Sequence, residues 1–190
     1  MFLRDAFQVK SGLVVARKRA IDSNIAKFQY KQLNLRAVNK HGYLEMLELE
    51  SLMTEEMVNS DYLTAEGDII VRLTDPYTAL YITKEYEGLV VTSNFVIIRN
   101  GNGYNPKFVA YYFNGDEVKK QLYSNMQGNI VKSVNITSVE NVVLPNISLR
   151  RQELYSKLMS TIVEKLKNLE QQKNLELKIQ KNIIDKISQE

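Results

Sequence analysis

From Leu149 to Ile187 the chain holds neither glycine nor proline. Leu158, Ile162, Leu166, Leu169, Leu177, Ile184 and Ile187 return there on steps of three and four, with Lys173 and Gln180 on two intermediate rungs. That period predicts one long amphipathic helix, which at ~1.5 Å per residue reaches on the order of 55 Å, more than is needed to cover the core of the remaining chain. The mean step lies closer to ~3.6 than to ~3.5, and Leu175, Ile179 and Ile183 widen the stripe. The expected partner is therefore another fairly straight helix in a coiled-coil type of pair rather than a strict heptad zipper. The alternative is a helix folded back on its own domain.

Upstream, the pattern changes to short apolar runs punctuated by turn residues. Gln8 to Lys10 and Tyr30 to Val38 read as strands, His41-Gly42 as a turn, and Tyr43 to Glu45 as a further extended segment. Leu49, Leu52, Met53 and Met57 fall at helical spacing and predict a short helix over Leu47 to Asn59. Glu66-Gly67-Asp68 turns the chain into the β-branched run Ile69 to Leu73, which Thr74-Asp75-Pro76-Tyr77 closes. Tyr81 to Thr83 and Gly88 to Arg99 read as strands. Asn105-Pro106 is an N-cap followed by proline at the first helical position, opening an apolar helix that Asn114-Gly115 ends before a second one from Asp116 to Met126. Ile130, Val134, Ile136, Val139, Val142 and Val143 predict final extended segments, stopped by Pro145. The fold class is α+β: a curled β-sheet with short flanking helices over residues 1–148, then one long C-terminal helix over 149–190.

Composition sets the scale. The 190 residues are 44% hydrophobic and 25% charged, enough for one substantial core. The absence of cysteine excludes disulfides and thiolate metal sites. Arg4, Asp5, Lys10, Arg17, Lys18 and Arg19 interrupt the first twenty residues, so no signal-peptide stretch is visible, and the expectation is a soluble, cytoplasmic protein without a membrane span. The net charge of +3 conceals an asymmetry: residues 1–40 carry nine basic and two acidic groups, residues 41–90 two and eleven, and residues 91–148 five and three. Arg17-Lys18-Arg19, with Lys27, Lys31, Arg36 and Lys40, makes the kind of patch that neutralises phosphates, while a solvated charged face is the plainer explanation. Asp61, Glu66 and Asp68 are candidates to balance it.

Catalytic motifs are sparse. The single histidine, His41, sits in a turn with no nucleophile motif around it. Gly101-Asn102-Gly103 lacks the third glycine and the strand-to-helix context of a phosphate loop. Asp75-Pro76-Tyr77 lacks one proline of the amino-methyltransferase element and reads as an ordinary turn. Glu117-Val118-Lys119 has the Glu-x-Lys spacing of metal-dependent nucleases, where a carboxylate holds Mg²⁺ and a lysine steadies the attacking water, but it falls on a predicted helix.

Four segments in order resemble the target-recognition half of the specificity subunit of type I restriction-modification systems. They are Tyr62 to Arg72 with its Gly67-Asp68-Ile69 element, Gly88 to Arg99, Asn105 to Phe113, and the stretch from Gln127-Gly128 through Ile136 and Leu144-Pro145 to Gln152. Together they span roughly residues 60 to 187, and Phe7 to Gly12 is similar to the family's opening strand and glycine. Leu144-Pro145-Asn146 has one proline where the family often has two, and Arg151 replaces an acidic residue before Gln152. Family members typically carry two recognition domains and two long helices, so this chain resembles a half-subunit.

The resemblance implies a non-catalytic DNA-binding role. In the family two helices pair antiparallel as a spacer between domains that each read part of a split site, and a half-subunit rebuilds that arrangement as a homodimer. The expected partners are double-stranded DNA, methyltransferase subunits that dock on the helix pair and carry S-adenosylmethionine, and a restriction subunit; this chain itself holds no cofactor. The rivals are an interaction adapter without DNA specificity and a small Mg²⁺-dependent nuclease using Glu117 and Lys119. The family's recognition residues vary with the target, so candidates come from chemistry alone. Arg17, Lys18, Arg19, Lys27 and Lys31 are the phosphate candidates; Lys84, Asn94, Asn129 and Lys132 are the base-edge candidates. Tyr77 and Tyr104 are set to stack on a base or to cap a core.

Overall fold

A computed structural model describes residues 1–22, 25–124 and 134–188. The element order is α1 (Leu3–Ala6), β1 (Gln8–Ser11), β2 (Phe28–Gln32), β3 (Glu50–Thr54), β4 (Ile69–Arg72), β5 (Ala79–Tyr81), β6 (Phe95–Arg99), α2 (Pro106–Phe113), α3 (Asp116–Ser124), α4 (Ile136–Glu140) and α5 (Leu149–Ile187). Four strands form an open antiparallel sheet in the order β1-β6-β4-β5, and β2 and β3 form a separate antiparallel pair.

The larger sheet is covered on both faces, which explains the unbroken apolar runs in its central strands. Successive side chains alternate between faces. Ile69, Val71, Val96 and Ile98 join a cluster with Phe108, Val109, Phe113, Val118 and Val139 from the helices. Ile70, Phe95 and Ile97 join a second cluster with Leu33, Leu44, Leu80 and Ile82 from the loops and β5 edge. Register follows from this double burial, with Ile69 opposite both Ile98 and Tyr81.

Gly12 follows β1 where the Thr92 backbone passes so near that a Cβ would overlap its carbonyl oxygen, and the Gly12 N–H donates to Phe95 O at 3.0 Å. The β2–β3 pair is tied to the same region by reciprocal bonds between Leu33 N and Val90 O and between Val90 N and Lys31 O, both 2.9 Å.

Several expectations need correction. The predicted helix over Leu47 to Asn59 is a 3-10 turn at Met46–Glu48 followed by β3. Its apolar residues serve different cores: Leu49 packs with Leu33 and Leu44, Leu52 with Val58 and Val90. The strand read from Tyr30 to Val38 stops at Gln32, because the Asn34 side chain accepts from the N–H groups of Arg36 and Ala37 and turns the chain. Of Gly88 to Arg99 only Phe95–Arg99 is a strand; Val90 makes isolated bridges to Gln32 and Leu63. The final extended segments include a helix, α4, capped by Asn135 Oδ1 accepting from Ser138 N at 2.8 Å. Ile130 and Met126 lie outside the described residues.

The long helix is present over Leu149–Ile187. Its first half runs along the globular part. Gln152, almost fully buried, donates from Nε2 to Ile147 O at 2.7 Å and accepts at Oε1 from Asn105 N at 2.8 Å. Tyr111 OH donates to Ser160 Oγ at 3.0 Å, and the Phe108 and Tyr155 rings lie 6.4 Å apart. Residues 171–188 are exposed throughout, a free length of about 27 Å. Among the described residues no helix is long and apolar enough to cross a membrane.

Candidate nucleic-acid interface

The β2–β3 pair alternates as a half-buried ribbon should. Gln29 and Lys31 face solvent opposite Met53 and Ser51, while Tyr30 and Leu52 turn into a small core with Val58 and Val90. Lys31 Nζ donates to Ser51 Oγ at 3.2 Å, which aligns the ammonium along the outer face.

The segment bearing the basic triplet lies along the other edge of β3. Arg19 makes a bridge to Thr54, Ala20 N donates to Met53 O at 2.8 Å, and Lys27 N donates to Thr54 O at 2.9 Å. Thr54 also pairs with Phe28, so the residues around Arg19 and Lys27 meet at one end of the ribbon. A shallow groove of about 300 Å³ here is lined by Arg17, Lys18, Arg19, Glu55 and Glu56.

Not all of this charge is available to a ligand. Lys18 Nζ stands 2.6 Å from Glu56 Oε2 and holds that exposed carboxyl below its usual range, first by hydrogen bonding and then by charge. Lys10 does the same to Asp61 at 2.6 Å. Arg36 is shared between Glu48 at 3.6 Å and Glu50 at 3.4 Å. Arg17, Arg19, Lys27 and Lys31 have no carboxylate partner among the described residues. Glu55 lines the same groove as Arg17 and Arg19, and exposed cations such as these four attract phosphate without steep desolvation.

Asn94 lies near the opposite end of the ribbon, in the turn before β6, where it lines a cleft of about 320 Å³ with Gln32, Asn34, Arg36, Glu50 and Thr92. The five residues of β2 put on the order of 14 Å between the two ends. Lys84 is elsewhere: it occupies the 3-10 turn Lys84–Tyr86, whose tyrosine feels the Lys167 charge on α5. Asn129 and Lys132 lie outside the described residues. Tyr77 is fully buried with its ring 5.3 Å from that of Tyr123, and half-buried Tyr104 donates from its OH to Pro145 O at 3.2 Å, so both belong to the core.

Asp68, considered as a balance for the basic patch, is instead a buried structural carboxylate. Its Oδ1 accepts from Arg99 Nε at 2.8 Å and its Oδ2 from Ala65 N at 2.8 Å, while Arg99 also donates to Leu63 O at 3.0 Å. The hydrogen bonds from Arg99 to Asp68 raise the guanidinium pKa. This clamp ties the turn before β4 to β6, and it accounts for the Gly-Asp-Ile element in physical terms: Gly67 adopts φ +90° and Asp68 closes the turn. Glu117 and Lys119 sit on α3, and among the described residues no group of three His, Asp or Glu side chains is placed to hold a metal ion.

On the arm, Leu158, Ile162, Leu169, Leu177, Ile184 and Ile187 are each about half exposed or more, whereas Leu166 is partly covered by the globular part. A run of half-exposed leucines and isoleucines along one helix is a surface monomeric proteins rarely present.

The architecture is thus an open, two-sheet α+β head with a basic ribbon, carried on one projecting helix. This fold is found among solved S subunits of type I restriction-modification systems. A chain from a type I R-M system, studied for its assembly and conformational transition, matches with TM-score 0.64 at 15% identity, over 90% of this chain and 43% of that one. The HsdS subunit from Thermoanaerobacter tengcongensis matches with TM-score 0.64 at 16% identity over the same shares. The S subunit from M. genitalium gives 0.53 at 12% identity, over 89% and 40%. The chain therefore spans less than half the length of these structures. No family model and no curated protein matches it.

Proposed function

We propose that this chain is a sequence-specific double-stranded DNA recognition subunit of a type I restriction-modification complex, acting as a non-catalytic half-subunit. The observation that carries the reading is the extent of the fold match: nine-tenths of this chain, head and arm together, superposes on about two-fifths of an S subunit. That is the share one recognition domain with one spacer helix would occupy. The basic ribbon supports it independently, since Arg17, Arg19, Lys27 and Lys31 offer phosphate contacts with Lys18 in reserve behind Glu56. Asn94, at the far end of the ribbon, supplies a side-chain amide of the kind that reads adenine. Lys84, on the arm side, takes no part in this face.

The exposed apolar stripe on the arm pairs with a second copy, antiparallel, so that two identical heads face the duplex a fixed distance apart. The target is then palindromic and split. Methyltransferase subunits dock on the helix pair and supply S-adenosylmethionine and the chemistry, a restriction subunit completes the complex, and the assembly works in the cytoplasm. Selection from random duplexes, using the chain copurified with methyltransferase subunits, tests this. Two identical inverted half-sites at constant spacing are expected; enrichment of no sequence, or of a single unspaced site, overturns it.

A further inference from the structure

The end of the basic ribbon carries exposed apolar side chains outside the three core clusters of the described residues. Ile21 is 97% exposed, Met57 72%, Ile25 45% and Phe28 38%. They lie on three segments that the backbone brings together: Ala20 N donates to Met53 O, Lys27 N donates to Thr54 O, and Thr54 pairs with Phe28. Thr54 Oγ1 donates to Glu56 O at 2.7 Å, fixing the turn that leads to Met57. Arg17, Arg19 and Lys27 border the same tip without carboxylate partners among the described residues.

We infer that this tip is an apolar wedge that enters duplex DNA between base steps, Ile21 and Met57 leading and Ile25 and Phe28 behind them, while Arg17, Arg19 and Lys27 hold the flanking phosphates. The inference rests on the DNA-recognition reading above. Isoleucine, methionine and phenylalanine are the side chains that unstack base steps and kink a duplex, and a cationic collar is what brings them to the groove. An isolated exposed isoleucine needs no explanation. Four apolar side chains bordered by Arg17, Arg19 and Lys27 are complementary to a polyanion with an apolar interior. A lipid surface is the less fitting ligand: the apolar residues are spread over turns and a strand edge and form no amphipathic helix.

The test uses the full chain and a duplex of 40 base pairs that the chain itself enriches from a random pool, labelled for energy transfer at two internal positions about 20 base pairs apart that flank the bound half-site. Wild type is expected to raise transfer by kinking the duplex. The variant Ile21→Ser/Ile25→Ser/Met57→Ser, changed only at exposed positions, is expected to return transfer to the free-duplex value and to bind about tenfold more weakly. Its salt dependence stays unchanged because no phosphate contact is lost. Arg17→Gln/Arg19→Gln is expected to lower the salt slope by about 1.8 while keeping the kink at saturation. Unchanged transfer and affinity in the serine variant, or a wild-type complex without a kink, overturns the wedge and leaves DNA recognition standing. Failure of wild type to enrich any duplex removes both, and binding to phosphatidylglycerol vesicles without duplex binding reassigns the tip to a membrane.

Discussion

The junction of head and arm depends on Gln152, and replacing it gives a test with a calculable size. Its side-chain amide satisfies two backbone groups at once, the Ile147 carbonyl at 2.7 Å and the Asn105 N–H at 2.8 Å, from a position almost closed to solvent. Gln152→Ala leaves both unpaired. A buried polar group stripped of its partner costs ~1–3 kcal/mol, so the two together are expected to cost about 2–6 kcal/mol, a large part of the ~5–15 kcal/mol of a typical domain. Gln152→Glu sharpens the reasoning. The introduced carboxylate still accepts from Asn105 N–H but opposes the Ile147 carbonyl, so the charged form is disfavoured and its folded pKa rises above the ordinary ~4.3. The repaired contact is then fully present below that ordinary value and lost as pH rises through the raised one. Urea unfolding followed by far-ultraviolet dichroism, at pH 4 and pH 8, reads both effects. A change below about 0.5 kcal/mol in Gln152→Ala, or a Gln152→Glu variant less damaged at pH 8 than at pH 4, refutes the role assigned to this amide.

Three further outcomes follow from named side chains. Leu158→Asp/Leu169→Asp, on the outward face of the arm, is expected to give a folded monomer by light scattering while wild type is expected to dimerise; a variant that still dimerises puts the interface elsewhere. Lys27→Gln/Lys31→Gln is expected to weaken binding to all duplexes alike and reduce the slope of log K against log salt by about 1.8, and an unchanged slope removes these lysines from the phosphate face. Burial, followed by the Glu45 carboxylate, pushes Tyr43 up to about 12. The phenol therefore favours folding below pH ~10 and withdraws that support as pH rises towards 12, so a Tyr43→Phe difference titration at 295 nm with a midpoint near 10 would contradict its placement.

Elements whose signals are local were legible in the sequence: the β-branched runs of β4 and β6, the Asn105-Pro106 cap of α2, and the glycine-free α5. The Leu47 to Asn59 segment misled because Met53, apolar yet half exposed, interrupts the period-two alternation of β3 and completes an accidental helical period. In α4 the β-branched residues suggested a strand, although Asn135 followed by Ser138 carried the cap that decides the matter. The basic cluster itself was visible, but its neutralisation was not. Lys18 meets Glu56 across 38 positions of sequence, and Asp68 is drawn away to Arg99 by a turn that charge counting cannot reveal. Lys84 and Asn94 were both base-edge candidates in the sequence and are separated by the fold.

Coexpressing the chain with a cognate modification subunit and sequencing methylated positions across the host genome tests the central claim most directly. The account predicts methylation at one motif made of two identical inverted half-sites around a gap of constant length, lost when the arm is disrupted by Leu158→Asp/Leu169→Asp. Methylation at an asymmetric or continuous motif, or none that depends on this chain, would contradict it.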